Sequence, residues 1–311
     1  MNVKHTVAIS GKLIIKKASA SRYIYLLFLP CLVFLIVFRY APMYGVSLAF
    51  KNYDLSGGVL GSPWVGFENF KYIFGESEFW RVVFNTIEIS FQKILITFPM
   101  PILIAILLNE LALNKYRRVL QTIYTFPHFI SWIIISGVMF NLLGYQGMVN
   151  NTLDILGFNK IQFFSTPALF RPILYISSII KESGYTCIIY LAAIVSINPE
   201  LYEAATVDGA NRFQKIRHII WPGIRSTAFV LLILAAGNVM NGGFEQIFNL
   251  YNPTTYEVGD IIDTYVYRLT FEQTPNYGVS TAVGLFKSVI NFILVITANK
   301  ITKMLGEDGI M

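Results

Sequence analysis

The residues with chemistry to offer are polar side chains set inside long apolar runs. One group is Lys181, Glu182, Ser183, Tyr185 and Thr186; a second is Asn238, Asn241 and Glu245; a third is Lys287, Ser288 and Asn291. Such groups are costly within a membrane and mark binding sites or paths. Amides and carboxylates bind hydroxyls, and aromatic rings pack on C–H faces, so the chemistry is recognition. Catalysis would need a convergent set, such as two carboxylates with a metal or a His-based nucleophile pair, and the sequence presents none. His5, His128 and His218 are scattered, without the spacing of a metal site. His128 reads as a buried or interfacial histidine. Cys31 and Cys187 lie in apolar segments and suggest no disulfide scaffold. No glycine-rich phosphate loop ending in Lys-Ser/Thr occurs, so this chain alone should not bind and hydrolyse ATP.

The elements that carry these groups are membrane spans. Of 311 residues, 55% are hydrophobic and 14% charged, against roughly 25% charged in soluble domains. Mean hydropathy is +0.57. Six apolar runs near 23–40, 85–108, 119–142, 171–197, 226–249 and 279–300 predict an all-α integral membrane protein with six transmembrane helices. The first run follows Lys12, Lys16, Lys17 and Arg22 and imitates a signal peptide. It lacks a convincing cleavage site and reads as an uncleaved helix. The organisation is then a segment 1–22, a six-helix domain 23–300 and a tail 301–311. Of the 24 Lys and Arg, fourteen fall on the side of the N-terminus, the 109–118 and 198–225 loops and the tail. Seven fall on the other side, and Lys93, Lys181 and Lys287 lie within or near spans. This asymmetry predicts both termini cytoplasmic in a multi-pass protein of the cytoplasmic membrane. The net charge of +6 is then explained by basic cytoplasmic loops beside membrane lipid, with no nucleic acid as partner.

Between the fourth and fifth runs lies NPELYEAATVDGANRFQKIRHIIWPG, residues 198–223. It predicts two short helices. Asn198 caps, Pro199 fits the first helical position, and Glu200 suits the positive N-terminal end. Leu201, Ala204 and Ala205 form a small, smooth face. Gly209 breaks the chain, Asn211 with Gln214 resembles a capping box, and Pro222 stops the second helix before the next span. The segment reads equally as a helix seated in a partner's groove, with Glu203 and Asp208 on basic groups, or as a membrane-surface helix.

This segment resembles the EAA loop of binding-protein-dependent ABC importer permeases. Glu203, Ala204, Ala205, Asp208, Gly209, Ala210, Ile219 and Pro222 match the family pattern, and Trp221 stands where leucine is usual. Trp64–Phe70, Phe79-Trp80 and Asn85-Thr86 resemble the outer loop of the maltose-type sugar permeases. Arg118–Thr122 followed by Phe126–Trp132 is similar to their polysaccharide and oligosaccharide branch, which includes alginate importers. The resemblance implies the type I ABC importer permease fold and no enzyme activity in this chain. It implies a second permease, usually a distinct chain forming a heterodimer, and two cytoplasmic ATPase subunits that carry ATP and Mg. It also implies an extracytoplasmic solute-binding protein and an oligosaccharide or polysaccharide cargo. The EAA residues would then be the coupling helix. Glu182, Tyr185, Asn238, Asn241, Glu245 and Asn291 are the expected substrate path. For each of these six, pairing between helices is an equal alternative. Lys181 beside Glu182, and Glu88 near Lys93, could be structural charge neutralisation. A permease for a non-sugar solute is the alternative, and an ion-coupled secondary transporter the remoter one, since repeats and paired broken helices are lacking.

Overall fold

A computed structural model describes residues 22–111, 113–272 and 274–304. Most of the N-terminal segment, with Lys4, Lys12, Lys16 and Lys17, and the end of the tail lie outside the described residues. Among the described residues there is no strand, only the bridged pair Lys51 and Trp64. Among the described residues six helical stretches are long and apolar enough to cross a membrane: Arg22–Phe50, Ser77–Asn109, Trp132–Ile155, Pro167–Val195, Arg212–Ala236 and Tyr277–Met304.

Helix α1 (Arg22–Leu35) continues through a π turn and a 3₁₀ stretch to Phe50, and residues 22–40 are exposed throughout. In hydrocarbon that exposure costs nothing, because lipid is as apolar as Leu or Phe. Helices α2 (Ser77–Thr97) and α3 (Pro99–Asn109) form one span joined at Phe98. The join coincides with Pro99, which has no N–H to give.

The run 119–142, expected as one span, divides. Helix α4 (Asn114–Thr125) ends in a 3₁₀ turn, Phe126–Phe129, and α5 (Trp132–Leu143) restarts behind the N-cap Ser131. Pro127 removes a donor at the break. The carbonyls freed there need partners, since hydrocarbon offers none. Lys181, from the buried helix α6 (Pro167–Val195), donates to the carbonyls of His128 at 2.7 Å and Ile130 at 2.6 Å. Its charge is spent on a broken backbone, so it does not neutralise Glu182.

After α7 (Pro199–Val207), the chain re-enters as Arg212–Lys215, turns through a π stretch Ile216–Ile220 and runs on as α8 (Trp221–Ala236). Pro222 therefore does not stop the helix, as its type suggests. It sits in the first turn of α8, directly after the π stretch, where helical N–H bonding is already irregular. The fifth apolar run breaks at Gly237–Gly243. Gly242 (φ +57) and Gly243 (φ +91) take left-handed conformations before α9 (Phe244–Leu250) begins. Helix α10 (Tyr277–Met304) completes the bundle.

Three buried clusters hold these helices together. Phe79, Val82, Met240, Ile262 and Val283 form one, Ile89, Phe170, Leu174, Ile247 and Leu250 the second, and Ala105, Tyr190, Ile194, Ile220 and Ile224 the third. The 250–278 segment is lashed to the spans by side-chain bonds. Asn85 donates to the Glu257 carbonyl at 2.9 Å, Arg171 to the Val258 carbonyl at 3.0 Å, and the Ile262 amide to the Thr86 hydroxyl at 2.9 Å.

Gly184 is where α6 crosses the end of α4. A Cβ there would lie 1.8 Å from the carbonyl oxygen of Tyr124. Backbone cannot move as a side-chain tip does. Gly184→Ala is expected to cost about 3 kcal/mol, the upper end of overpacking penalties, read as a lower melting midpoint of the purified protein. A midpoint unchanged from wild type would refute this crossing.

Candidate functional site

Two sets of candidate residues emerge, one within the bundle and one in the 198–223 segment. The first gathers around the break at 237–243. Asn238 and Asn241 line a cavity of about 330 Å³ together with Ser90, Lys93 and Thr97. A neighbouring cavity of about 240 Å³ shares Ile94, Thr97 and Ala235 with it and is bordered by Glu182 and Thr186. Asn241 donates to the Asn238 side chain at 2.9 Å, and Asn238 to the Leu234 carbonyl at 3.0 Å, so both amides are held in place.

Glu182 pairs with His128 Nδ1 at 2.9 Å. The imidazole stacks flat on Tyr185, with ring centres 4.0 Å apart, and Phe129 meets both rings edge-on. This sets a carboxylate at the edge of a His–Tyr stack, combining a hydroxyl acceptor with rings of the kind that pack on the C–H surfaces of a sugar. His128 therefore joins the candidate residues, a placement its sequence context did not reveal.

The six expected path residues do not all converge. Glu182 borders one of the two adjoining cavities and Asn238 and Asn241 the other, while Tyr185, in neither lining, stacks on His128, the partner of Glu182. Asn291 does not border these cavities: its side-chain oxygen accepts the Met240 amide at 3.2 Å, filling a bond lost where the fifth run breaks. Glu245 is exposed on α9, away from the lining residues of both cavities. Lys93 and Gln246 are the additions. Lys93 Nζ donates to Gln246 at 2.8 Å, and Glu88 pairs instead with Arg171 at 2.6 Å. Only the isolation of Lys93, with no carboxylate at i±3 or i±4, hinted at this.

The second set is the 198–223 segment. The side chain of Asn198 accepts the Glu200 amide at 3.0 Å. Asn211 and Gln214 form the reciprocal capping box, at 2.8 and 2.9 Å. Gly209 (φ +77) closes α7 in a Schellman turn, with the Ala210 amide on the Ala205 carbonyl and the Gly209 amide on that of Thr206. Lys215 donates to the Thr206 hydroxyl at 2.8 Å and Arg212 lies 3.8 Å from Glu110, tying the two short helices together and to α3. Glu203, Ala204, Asp208, Gly209 and Pro222 are exposed, as are Leu201, Val207 and Phe213. Ala205, Ala210 and Ile219 are half-buried; Tyr202, three residues before Ala205, packs on the core. The exposed strip therefore presents Glu203, Ala204, Val207 and Asp208, with Ala205 turned inward. Near α3, burial and the Glu110 charge push the Tyr202 phenol pKa up.

Residues 97–303 match the family described as binding-protein-dependent transport system inner membrane component. The chain belongs to that family. It is 41% identical over 300 residues to the polygalacturonan/rhamnogalacturonan transport system permease protein YteP of Bacillus subtilis (strain 168), covering 96% of this chain and 93% of YteP. It is 42% identical over 290 residues to Protein LplB of the same organism, covering 93% and 91%. Its fold matches a chain of the bacterial alginate ABC transporter solved with an alginate pentasaccharide-bound periplasmic protein. There the TM-score is 0.87 and identity 40%, over 95% of this chain and 99% of the other. As an inner membrane component of such a system, this permease works with a binding protein. Its all-α, six-helix architecture is that of the type I importer permeases.

Proposed function

We propose that this permease is one half of the translocation path of an ATP-driven importer for oligosaccharides or polysaccharides, those containing uronic acids in particular. The carrying observation is the pair of adjoining cavities bordered by Glu182, Lys93, Asn238 and Asn241, on a fold shared with a chain of an alginate transporter. Asn238, Asn241 and Tyr185 are exposed on the single chain, which supports a second permease closing the other side; that partner is a distinct chain in a heterodimer. YteP serves polygalacturonan and rhamnogalacturonan, and the related alginate transporter imports an acidic polysaccharide. Both parallels favour an acidic cargo.

The 198–223 segment is the coupling element. Its exposed acidic and small residues enter a groove on one of two cytoplasmic ATPase subunits, where ATP and Mg reside. Both termini are cytoplasmic, in keeping with the Lys/Arg asymmetry. Closure of the ATPases pushes α7, and the continuous helix from Arg212 to Ala236 carries that motion to the break beside Asn238 and Asn241. The inward- and outward-facing states are thereby populated in turn by differential binding.

The test is uptake of labelled oligogalacturonate by proteoliposomes holding the complete complex. Uptake is expected only with ATP on the ATPase side and the binding protein on the other, and should fall to background, at least tenfold, when either is withheld. Uptake driven by an ion gradient without ATP would overturn the assignment.

A further inference from the structure

We infer that Lys93, with Ser90, forms a subsite for the carboxylate of an acidic sugar and so sets the charge preference of the path; this rests on the sugar-cargo reading above. Lys93 is a cation within a span whose hydrogen-bond partner is a neutral amide. Gln246 is buried, donating to the Leu174 carbonyl and the Ser177 hydroxyl, both at 2.7 Å. Since a carbonyl only accepts, the amide's orientation is fixed and its oxygen must face Lys93 and Ser178.

Among the described residues Lys93 has no ion pair within 4.0 Å. Glu88, on the same helix, is held by Arg171, and Glu182, at the adjoining cavity, pairs with His128. An ammonium in a low-dielectric span favours a compensating anion, and this chain supplies none in contact.

Ser90 is the second observation. It lies one helical turn before Lys93 and borders the same cavity of about 330 Å³. It is 5% exposed, and its hydroxyl has no hydrogen-bond partner. Buried hydroxyls ordinarily find one. Gly243 completes the arrangement: a Cβ there would come within 2.8 Å of the ammonium nitrogen, so glycine leaves the charge uncovered. A uronate carboxylate in this cavity would accept from Lys93 and Ser90, while Asn238 and Asn241 face its ring hydroxyls. A neutral sugar would leave the ammonium without a counter-charge in contact.

The experiment uses cells carrying the complete importer, fed a mixture of trigalacturonate and its partially methyl-esterified form, with imported species weighed by mass spectrometry. Lys93→Gln is expected to lower free-acid uptake at least tenfold and to lower the ratio of free acid to ester at least fivefold. Lys93→Arg should keep at least a third of wild-type uptake. The binding protein is the same in every strain, so its own preference cancels in these ratios. Equal loss of both species, or no change, overturns the assignment. Should Lys93→Gln fail to reach the membrane, Ser90→Ala carries the test, since it deletes only an unbonded hydroxyl: about threefold lower free-acid uptake supports the subsite, and unchanged uptake overturns it. Wild-type cells that import neither species would refute the cargo reading and the subsite with it.

Discussion

Cells producing Gly209→Pro are expected to hold normal amounts of permease in the membrane and to import nothing measurable, at least a hundredfold below wild type. Gly209 has φ +77 and donates its amide to Thr206. Proline has neither that conformation nor a donor, because its ring holds φ near −65°. The Schellman turn opens, and α7 leaves its seat while the spans, packed elsewhere, persist. Glu203→Lys reaches the same end differently. Glu203 is exposed and, among the described residues, has no side-chain hydrogen bond or ion pair. Reversing its charge has little to disturb within the chain. Against a basic groove it should cost about 3 kcal/mol, roughly a hundredfold in affinity. Co-purification of the ATPase subunits reads docking, and sugar uptake reads coupling. Unimpaired uptake by both variants would remove the coupling role from this loop.

The largest expected effect on stability lies at the opposite end of the bundle. Arg268 is buried and clasped by Asp260 through both oxygens, at 2.7 and 2.6 Å, with Glu78 at 3.0 Å. Asp260 is fully buried and also accepts from Thr264 at 2.7 Å. Burial by itself would lower the Arg268 pKa, but the hydrogen bonds and charge of Asp260, then the charge of Glu78, leave it above its ordinary value. Around this group, burial first and the Glu78 charge next push the Tyr265 phenol pKa up to about 12. Asp260→Ala removes the main counter-charge and leaves a buried guanidinium with Glu78 as its one remaining carboxylate partner. A loss of about 3–5 kcal/mol is expected, as for other broken buried pairs. It should appear as a lowered melting midpoint and as protease cleavage within 250–278. The double change Asp260→Leu with Arg268→Met should recover most of the loss, because two apolar groups carry no unpaired charge. A single variant as stable as wild type would show that the pair holds nothing together.

Much of this molecule is legible in one dimension, and the reason is distance along the chain. Six runs of apolar residues determine six spans, because burying a backbone in lipid leaves helix as its answer. The coupling loop is equally legible: Asn198 on Glu200, Asn211 on Gln214 and the turn at Gly209 each involve residues within about five positions. The break in the fifth run is local too, since the positive φ of Gly242 and Gly243 favours glycine.

What only the tertiary structure decided is which polar groups meet. Lys93 and Gln246 are 153 positions apart, Glu182 and His128 54, Arg268 and Glu78 190. Neighbours in sequence were poor guides: Lys181 went to the carbonyls at Pro127's break, Glu88 to Arg171, and Asn291 to a freed amide beside the glycine pair. Each choice depends on how helices cross and where their backbones are interrupted. Apolar side chains are interchangeable enough for many crossings, so a pattern of hydrophobicity builds the spans without fixing their partners. The partners are set by the few directional bonds that a low-dielectric interior cannot leave unmade.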